Sequence, residues 1–428
     1  MSPYITASFL YNVYMRKILI VFAFLASLVI PIKTVNAIET PTSVDNNKFG
    51  IHITDENDIE DAARLLNSSG GDWGYVTFVI REDERDINRW QNVFDKLRRQ
   101  HLIPLVRIAT TQDEGNWTKP DPDDISSWVN FFESLNWVVK NRYIIIGNEP
   151  NHATEWGGEV DPTEYGEFVT NISKRLKLSS PDYFVMMGGL DASAPDNKSH
   201  LSEEKFLKQL TLKYPKIFEK LDGWVSHSYP NPDFSAPPTN TGQKSIKTYE
   251  WELSLLKRIG VSKNLPVFIT ETGWAHRTEK ESDYLDPEIL NGYYQKLYEI
   301  YLANNNIVAF TPFILNYSSP PFDIFSWMDN NEHYYGFFEE TQKVLKIKGS
   351  PIQITEADII FEIAPEFIKK NNKTYAVGIV KNTGQSIWIQ GKTREANEKG
   401  KERKLEIDSP IFTDIEPGKI GIILYRKI

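Results

Sequence analysis

Eight short apolar runs lie between Phe49 and Leu315, and stretches with helical spacing separate them. The runs are Phe49–Ile53, Tyr75–Ile80, Ile103–Ile108, Tyr143–Gly147, Phe184–Gly188, Gly223–His227, Val267–Thr270 and Val308–Leu315. Each is nearly continuous in Val, Ile, Phe, Tyr and similar residues, as strands covered on both faces require. Helices are expected at Asp58–Leu66, Ile87–Arg99, Ile125–Val139, Pro162–Leu176, Ser202–Tyr214, Ile246–Ile259 and Pro287–Ala303, with a weaker one near Glu339–Leu345. Such alternation predicts βα units around a parallel sheet. Eight units spread over roughly 300 residues match an α/β fold of the (β/α)8 (TIM) barrel type, commonly about 250 residues long. An open doubly wound sheet normally has fewer strands, and no glycine-rich phosphate loop follows the first run.

The ends of the chain read differently. Arg16-Lys17 precede the apolar stretch Ile18–Ile32, and Val35-Asn36-Ala37 resembles a small-residue cleavage site. Residues 1–37 therefore read as a signal peptide, and the protein as secreted or held in the cell envelope. The alternative is an uncleaved segment acting as a membrane tether, although the run is short of the roughly 20 apolar residues a span needs. A polar tether is expected at Ile38–Asn47, then the barrel from Lys48 to Ser350. Beyond Gly349-Ser350-Pro351 no helical pattern convinces. Strand-like runs at Ile359–Ile363, Tyr375–Val380, Ser386–Ile389 and Ile420–Tyr425 predict a small all-β sandwich over Pro351–Ile428.

Composition excludes several functions. The chain has no cysteine, which removes disulfides, thiolate metal sites and cysteine nucleophiles together. A formal net charge of −10 without a Lys/Arg block argues against a nucleic-acid partner. The seven histidines show no metal-ligand spacing, so no metal or other cofactor is expected.

In barrels of this type, chemistry sits at the C-terminal ends of the strands. The fourth run continues as Gly147-Asn148-Glu149-Pro150 and the seventh as Thr270-Glu271-Thr272-Gly273-Trp274. Each places one glutamate where an apolar strand reaches the site, although charged residues are seldom buried without a reason. Two carboxyls facing across a barrel mouth are the pair that glycoside hydrolysis needs.

Asn148-Glu149-Pro150 after strand four, with Glu271 ending strand seven, resembles clan A of the glycoside hydrolases. The resemblance covers the barrel and not the tail. It implies a retaining O-glycoside hydrolase for a β-linked oligo- or polysaccharide, with Glu149 as acid/base and Glu271 as nucleophile. It further implies that Asn148 binds the sugar 2-hydroxyl, that His227 lines the site and that Tyr229 holds the nucleophile. An arginine paired with the nucleophile is implied too, and Arg107 fits better than Arg81. Trp274 and Trp156 are expected as sugar platforms in strand-end loops, and Trp117 is a further candidate. His52 either lines the floor or belongs to the core. Where many clan members have a tryptophan ending strand eight, this chain has Phe310-Thr311-Pro312-Phe313, with Trp327 as a possible substitute. Two alternatives use the same frame: a catalytically inactive carbohydrate-binding barrel, and a transglycosylase.

Overall fold

The computed structural model describes residues 38–278 and 281–428, and of residues 365–367 only the backbone. The expected signal peptide lies outside the described residues. No helix among the described residues is long and apolar enough to cross a membrane.

Eight of the strands run parallel, in two hydrogen-bonded groups. The first group joins β1 (Gly50–His52), β2 (Gly74–Arg81), β3 (Leu102–Ala109), β6 (Arg142–Ile146) and β7 (Tyr183–Met187), in that order. The second joins β8 (Trp224–Ser228), β9 (Val267–Thr272) and β10 (Ile307–Phe310). A two-stranded hairpin, β4 (Gln112–Asp113) and β5 (Asn116–Trp117), is inserted after β3 and left no hydrophobic signal in the sequence. Backbone bonds link the two groups at both edges. Phe310 N donates to Lys48 O at 3.0 Å and His52 N to Pro312 O at 3.0 Å. On the other side, Asp222 N donates to Val185 O at 2.9 Å, and Asp191 bridges His227 in parallel.

The helices lie where spacing placed them. Ile87–Arg99 opens on Asp86, whose carboxylate accepts from Arg89 N at 2.8 Å. Pro162–Ser179 opens on Asp161, which accepts from Thr163 N and Glu164 N, with proline in the first turn. Such caps satisfy amides that no earlier turn can reach. Ile125–Ser134 stops short of the expected Val139, because residues 135–139 instead lead into β6. The buried faces of these helices and the strands share one large apolar core. The expected tether is fastened rather than loose. Asn46 Nδ2 donates to Val308 O at 2.7 Å, Asn47 Nδ2 to Leu66 O at 3.0 Å, and Lys140 pairs with Glu39 at 2.7 Å.

The tail is all-β, but it is not a sandwich. β11 (Glu356–Lys370), β12 (Lys373–Asn382), β15 (Ile420–Lys427), β14 (Lys404–Pro410) and β13 (Arg394–Glu398) form one closed five-stranded barrel. β11 is much longer than its apolar run, and register shifts against β12 let it bend. Its first residues pair with β13 in parallel and close the ring, so no second sheet forms. The expected strand at Ser386–Ile389 is only a bridge between Trp388 and Ile415. The tail barrel has its own core, built on Trp388, Ile407, Ile423 and Tyr425. It is fastened to the segment entering β6: Gln353 Nε2 donates to Val138 O at 2.8 Å and Gln385 Nε2 to Val139 O at 3.0 Å. That is the opposite end of β6 from Asn148 and Glu149.

Candidate active site

The exit of β6 is a sharp turn held from behind. Tyr165 OH donates to Ile146 O and accepts from Gly188 N, both at 2.9 Å. Gly147 then takes a φ of +79° and Glu149 one of +28°. A non-glycine residue held in such backbone costs about 1–3 kcal/mol, a cost that concentrates at functional sites. The β8–β9 ladder supplies the facing groups. After an irregularity between Ser226 and His227, His227 stands opposite Glu271. Gly189 makes room for the imidazole, because a Cβ there would sit 2.4 Å from His227 Cδ2.

These strands bring six polar side chains together. Arg107 Nη1 donates to Glu271 Oε1 at 2.5 Å and to Asn148 Oδ1 at 2.6 Å. Tyr229 OH donates to the other Glu271 oxygen at 3.0 Å. His227 Nδ1 lies 2.8 Å from Glu149 Oε1 and 3.8 Å from Glu271 Oε2. Carboxylate oxygens of Glu149 and Glu271, with a nitrogen of His227, all fall within 4.8 Å of one another. Asn148, Glu149, Arg107, His227, Tyr229 and Glu271 thus form one constellation.

The surrounding charges fix the state of Glu271. Burial would raise Glu271, but His227 and then Arg107 outweigh it and hold the carboxyl down at about 2. Glu271 is therefore an ionised, hydrogen-bonded carboxylate at neutral pH. Burial alone would lower His227, yet Glu271 and Glu149 hold it above its ordinary value. A metal ion fits poorly here. One Glu271 oxygen already accepts from a guanidinium and the other from a phenol, and Arg107 adds positive charge where a cation would bind.

Other expectations change. Trp274 is not a sugar platform. It is 1% exposed, its indole N–H donates to Ala236 O at 2.8 Å, and Tyr293 and Tyr294 pack against its ring. Its position after Glu271 suggested the mouth, but the chain turns it into the core. Trp327 is likewise core, against Tyr294 and Phe337. Trp156 is also buried, its N–H given to Glu164, but it lines a small cavity of about 60 Å³ beside Asn148. The half-buried Trp117 lines the same cavity. Arg81 points away and pairs with Asp83 at the surface. His52 sits under the site, its ring 5.0 Å from that of Phe313. Burial first, then Arg107, lowers its pKa to about 3, so it is neutral.

One acid escaped the sequence reading. Glu155 ends the short turn Ala153–Glu155 and lines the cavity with Arg107 and Asn148. Burial, and then repulsion by Glu149, pushes it up to about 7 against the pull of Arg107 and the Asn148 amide. No motif marks it; its one signal was an acid next to Trp156 in the loop that follows Glu149.

No protein-family model matches this chain, and no curated protein matches it by sequence. Solved structures do resemble it. A GH128 (subgroup II) endo-β-1,3-glucanase from Sorangium cellulosum aligns at 10% identity over 69% of this chain and 96% of its own, with a TM-score of 0.44. A β-mannanase from Thermomonospora fusca aligns at 11% identity over 71% and 90%, with a TM-score of 0.44. A family 51 α-L-arabinofuranosidase from Bifidobacterium longum aligns at 9% identity over 90% and 97%, also with a TM-score of 0.44. These neighbours are clan A glycoside hydrolases. At such distance the geometry of the site itself must decide what the chain does.

Proposed function

We propose that this protein is a retaining glycoside hydrolase for a β-linked carbohydrate, with Glu271 as nucleophile and Glu149 as acid/base. The eight parallel strands are read as one (β/α)8 barrel, because backbone bonds join their two groups at both edges. The observation that carries the functional reading is that one oxygen of Glu149 and one of Glu271 lie within 4.8 Å of each other, which favours the shorter of the two carboxyl separations known for glycosidases. Retaining enzymes hold them about 5–5.5 Å apart, whereas inverting enzymes need about 6.5–9.5 Å to admit a water.

The roles follow from the partners. Glu271 is ionised and fixed by Arg107 and Tyr229, so one oxygen can attack the anomeric carbon without a proton to lose first. Glu149 faces the same centre and donates a proton to the departing oxygen. It then takes one from the water that releases the glycosyl-enzyme. Asn148, whose amide oxygen accepts from Arg107, is assigned in this reading to the hydroxyl next to the anomeric carbon. Export through the N-terminal apolar segment would bring the enzyme to extracellular carbohydrate.

Replacing Glu271 with alanine tests the assignment. Turnover of an aryl β-glycoside is expected to vanish, and azide is expected to restore it with inverted stereochemistry. Full activity in that variant would remove Glu271 from the mechanism.

A further inference from the structure

The tail barrel has an apolar area on its outer face, where strands that meet water normally carry polar residues. Phe361 on β11 stands opposite Ile379 on β12, and Ile379 opposite Ile422 on β15. Ile411, just past β14, extends the row, its N–H donating to Ile422 O at 2.9 Å. Val377 opposite Leu424 forms the neighbouring row. Residues opposite one another in a ladder share a face, with Cβ atoms about 4.5–5.5 Å apart, so each row is continuous. None of these six residues is buried, and the tail core lies on the other side, on Val380, Ile423 and Tyr425. Phe361 is 60% exposed, and Phe412, beside Ile411, is 70% exposed. A contiguous apolar area on a protein surface marks a contact.

Lysines rim this area. Lys381 stands opposite Ile420, and Lys419 precedes it. Lys392 follows Gln390, whose side chain donates to Ile411 O at 3.0 Å. All three are exposed, and none has a side-chain hydrogen bond or ion pair among the described residues. The acids nearby are Asp358, opposite Lys381, and Asp414, which accepts from Gln390 N at 2.7 Å. Pro351–Ile428 holds 13 Lys and Arg against 11 Asp and Glu, whereas Ile38–Ser350 holds 32 against 47. The positive surplus therefore lies in the part that carries the apolar area. We propose that this face of the tail barrel rests on an anionic lipid bilayer. Phe361, Ile411 and Phe412 enter the headgroup layer, and the three lysines meet lipid phosphates. Carbohydrate fits the face poorly, because Trp388, Tyr375 and Tyr425, the tail's only indole and phenols, are buried. A second copy fits poorly too, since it would bring two acidic large barrels together. The chain before Ile38 enters beside the tail: Glu39 O accepts from Asn141 Nδ2 at 2.8 Å, and Lys140 N donates to Ile352 O at 2.8 Å. A membrane-held N-terminal segment would thus bring the same end of the molecule to the lipid. The proposal goes beyond the glycosidase reading and does not depend on it.

The test is co-sedimentation of residues 38–428, which hold the whole described fold without the apolar stretch Ile18–Ile32, with lipid vesicles. Vesicles of phosphatidylcholine mixed with phosphatidylglycerol are compared with phosphatidylcholine alone. Binding to the anionic vesicles is expected, with a much lower affinity for the neutral ones and a decline as salt is added. Phe412→Asp should weaken it about tenfold or more with an unchanged melting temperature. Phe361→Asp serves where Phe412→Asp does not fold. Replacing Lys392 and Lys419 together with glutamine should cost about tenfold or more on anionic vesicles and little on neutral ones. No binding to anionic vesicles, equal binding to both kinds, or full binding by folded Phe412→Asp overturns the proposal. A dimer in sedimentation velocity that Phe412→Asp dissociates, without vesicle binding, gives the face to a second copy instead. Retention on an insoluble polysaccharide that Phe412→Asp abolishes, again without vesicle binding, gives it to carbohydrate; either result overturns the lipid assignment.

Discussion

The strands that carry the site and the strands of the tail barrel bury their residues in different ways. Every residue of β7, β8 and β9 is buried, because a core lies on one face and helices cover the other. β12 and β13 instead alternate buried residues with half-buried or exposed ones, and one face of each meets water. The first kind can hide a charged residue only where strong partners offset its loss of water, so a glutamate there signals function. The second kind carries charges freely. Glu271 and Glu406 make the contrast concrete. Both carboxyls are held near 2, one by His227 and Arg107 and the other by Arg426 and Lys373. Glu271 meets its second carboxylate, Glu149, within 4.8 Å at the ends of the parallel strands, whereas Glu406 stands opposite the exposed Glu395 on the tail ladder.

The largest expected effect comes from exchanging these two acids in turn. Glu271→Gln should lower kcat about 10⁴-fold or more, as loss of a nucleophile commonly does. Glu406→Gln should leave kcat at its original value; equal losses in both would erase the distinction between the regions. Tryptophans separate them next. Trp274→Ala and Trp388→Ala each empty a packed core and should cost about 3–5 kcal/mol of stability in denaturant unfolding. Trp274→Ala should do so without a specific rise in KM. A large KM effect in a variant of undiminished stability would return Trp274 to the sugar site.

Arg107→Met comes third. It strands Glu271 in a buried place with one fewer cation, a loss of about 3 kcal/mol near neutral pH. Glu271 has a depressed pKa in the folded protein, so the pair stabilises above the ordinary carboxylate range. That stability is lost as pH falls through that range towards about 2. The gap in stability between wild type and Arg107→Met should therefore narrow on acidification. A gap independent of pH would mean that the guanidinium acts only through packing. Glu155 supplies the smallest effect, of opposite sign. Its pKa is raised to about 7, so the folded state loses stability as pH rises from the ordinary carboxylate range through 7. Glu155→Gln should raise the melting temperature at pH 8 more than at pH 5. An equal change at both would deny it a buried charge.

Legibility followed the same divide. The continuous apolar runs that a two-sided cover demands marked all eight parallel strands, with ends within a few residues except for the last. There β10 stops at Phe310, and the loop carrying Phe313 continues the apolar text without strand pairing. The tail strands β13 (REANE) and β14 (KLEIDSP) were unreadable, because half of a one-faced strand is written in charges. Without them the tail could not be seen to close into a barrel. Within the site, residues on strands or directly at their ends were recovered: Arg107, Asn148, Glu149, His227, Tyr229 and Glu271. What failed depended on loops. Trp274 lies past a glycine at φ +132° that turns the chain inward, and Glu155 sits on a turn with no periodicity to place it.

The stereochemistry of the first product is the most direct test of the carboxylate spacing. Hydrolysis of a β-glycoside followed by proton NMR, before mutarotation mixes the anomers, should show the β-anomer appearing first. Initial appearance of the α-anomer would require a water between Glu149 and Glu271, and would contradict the double displacement assigned to them.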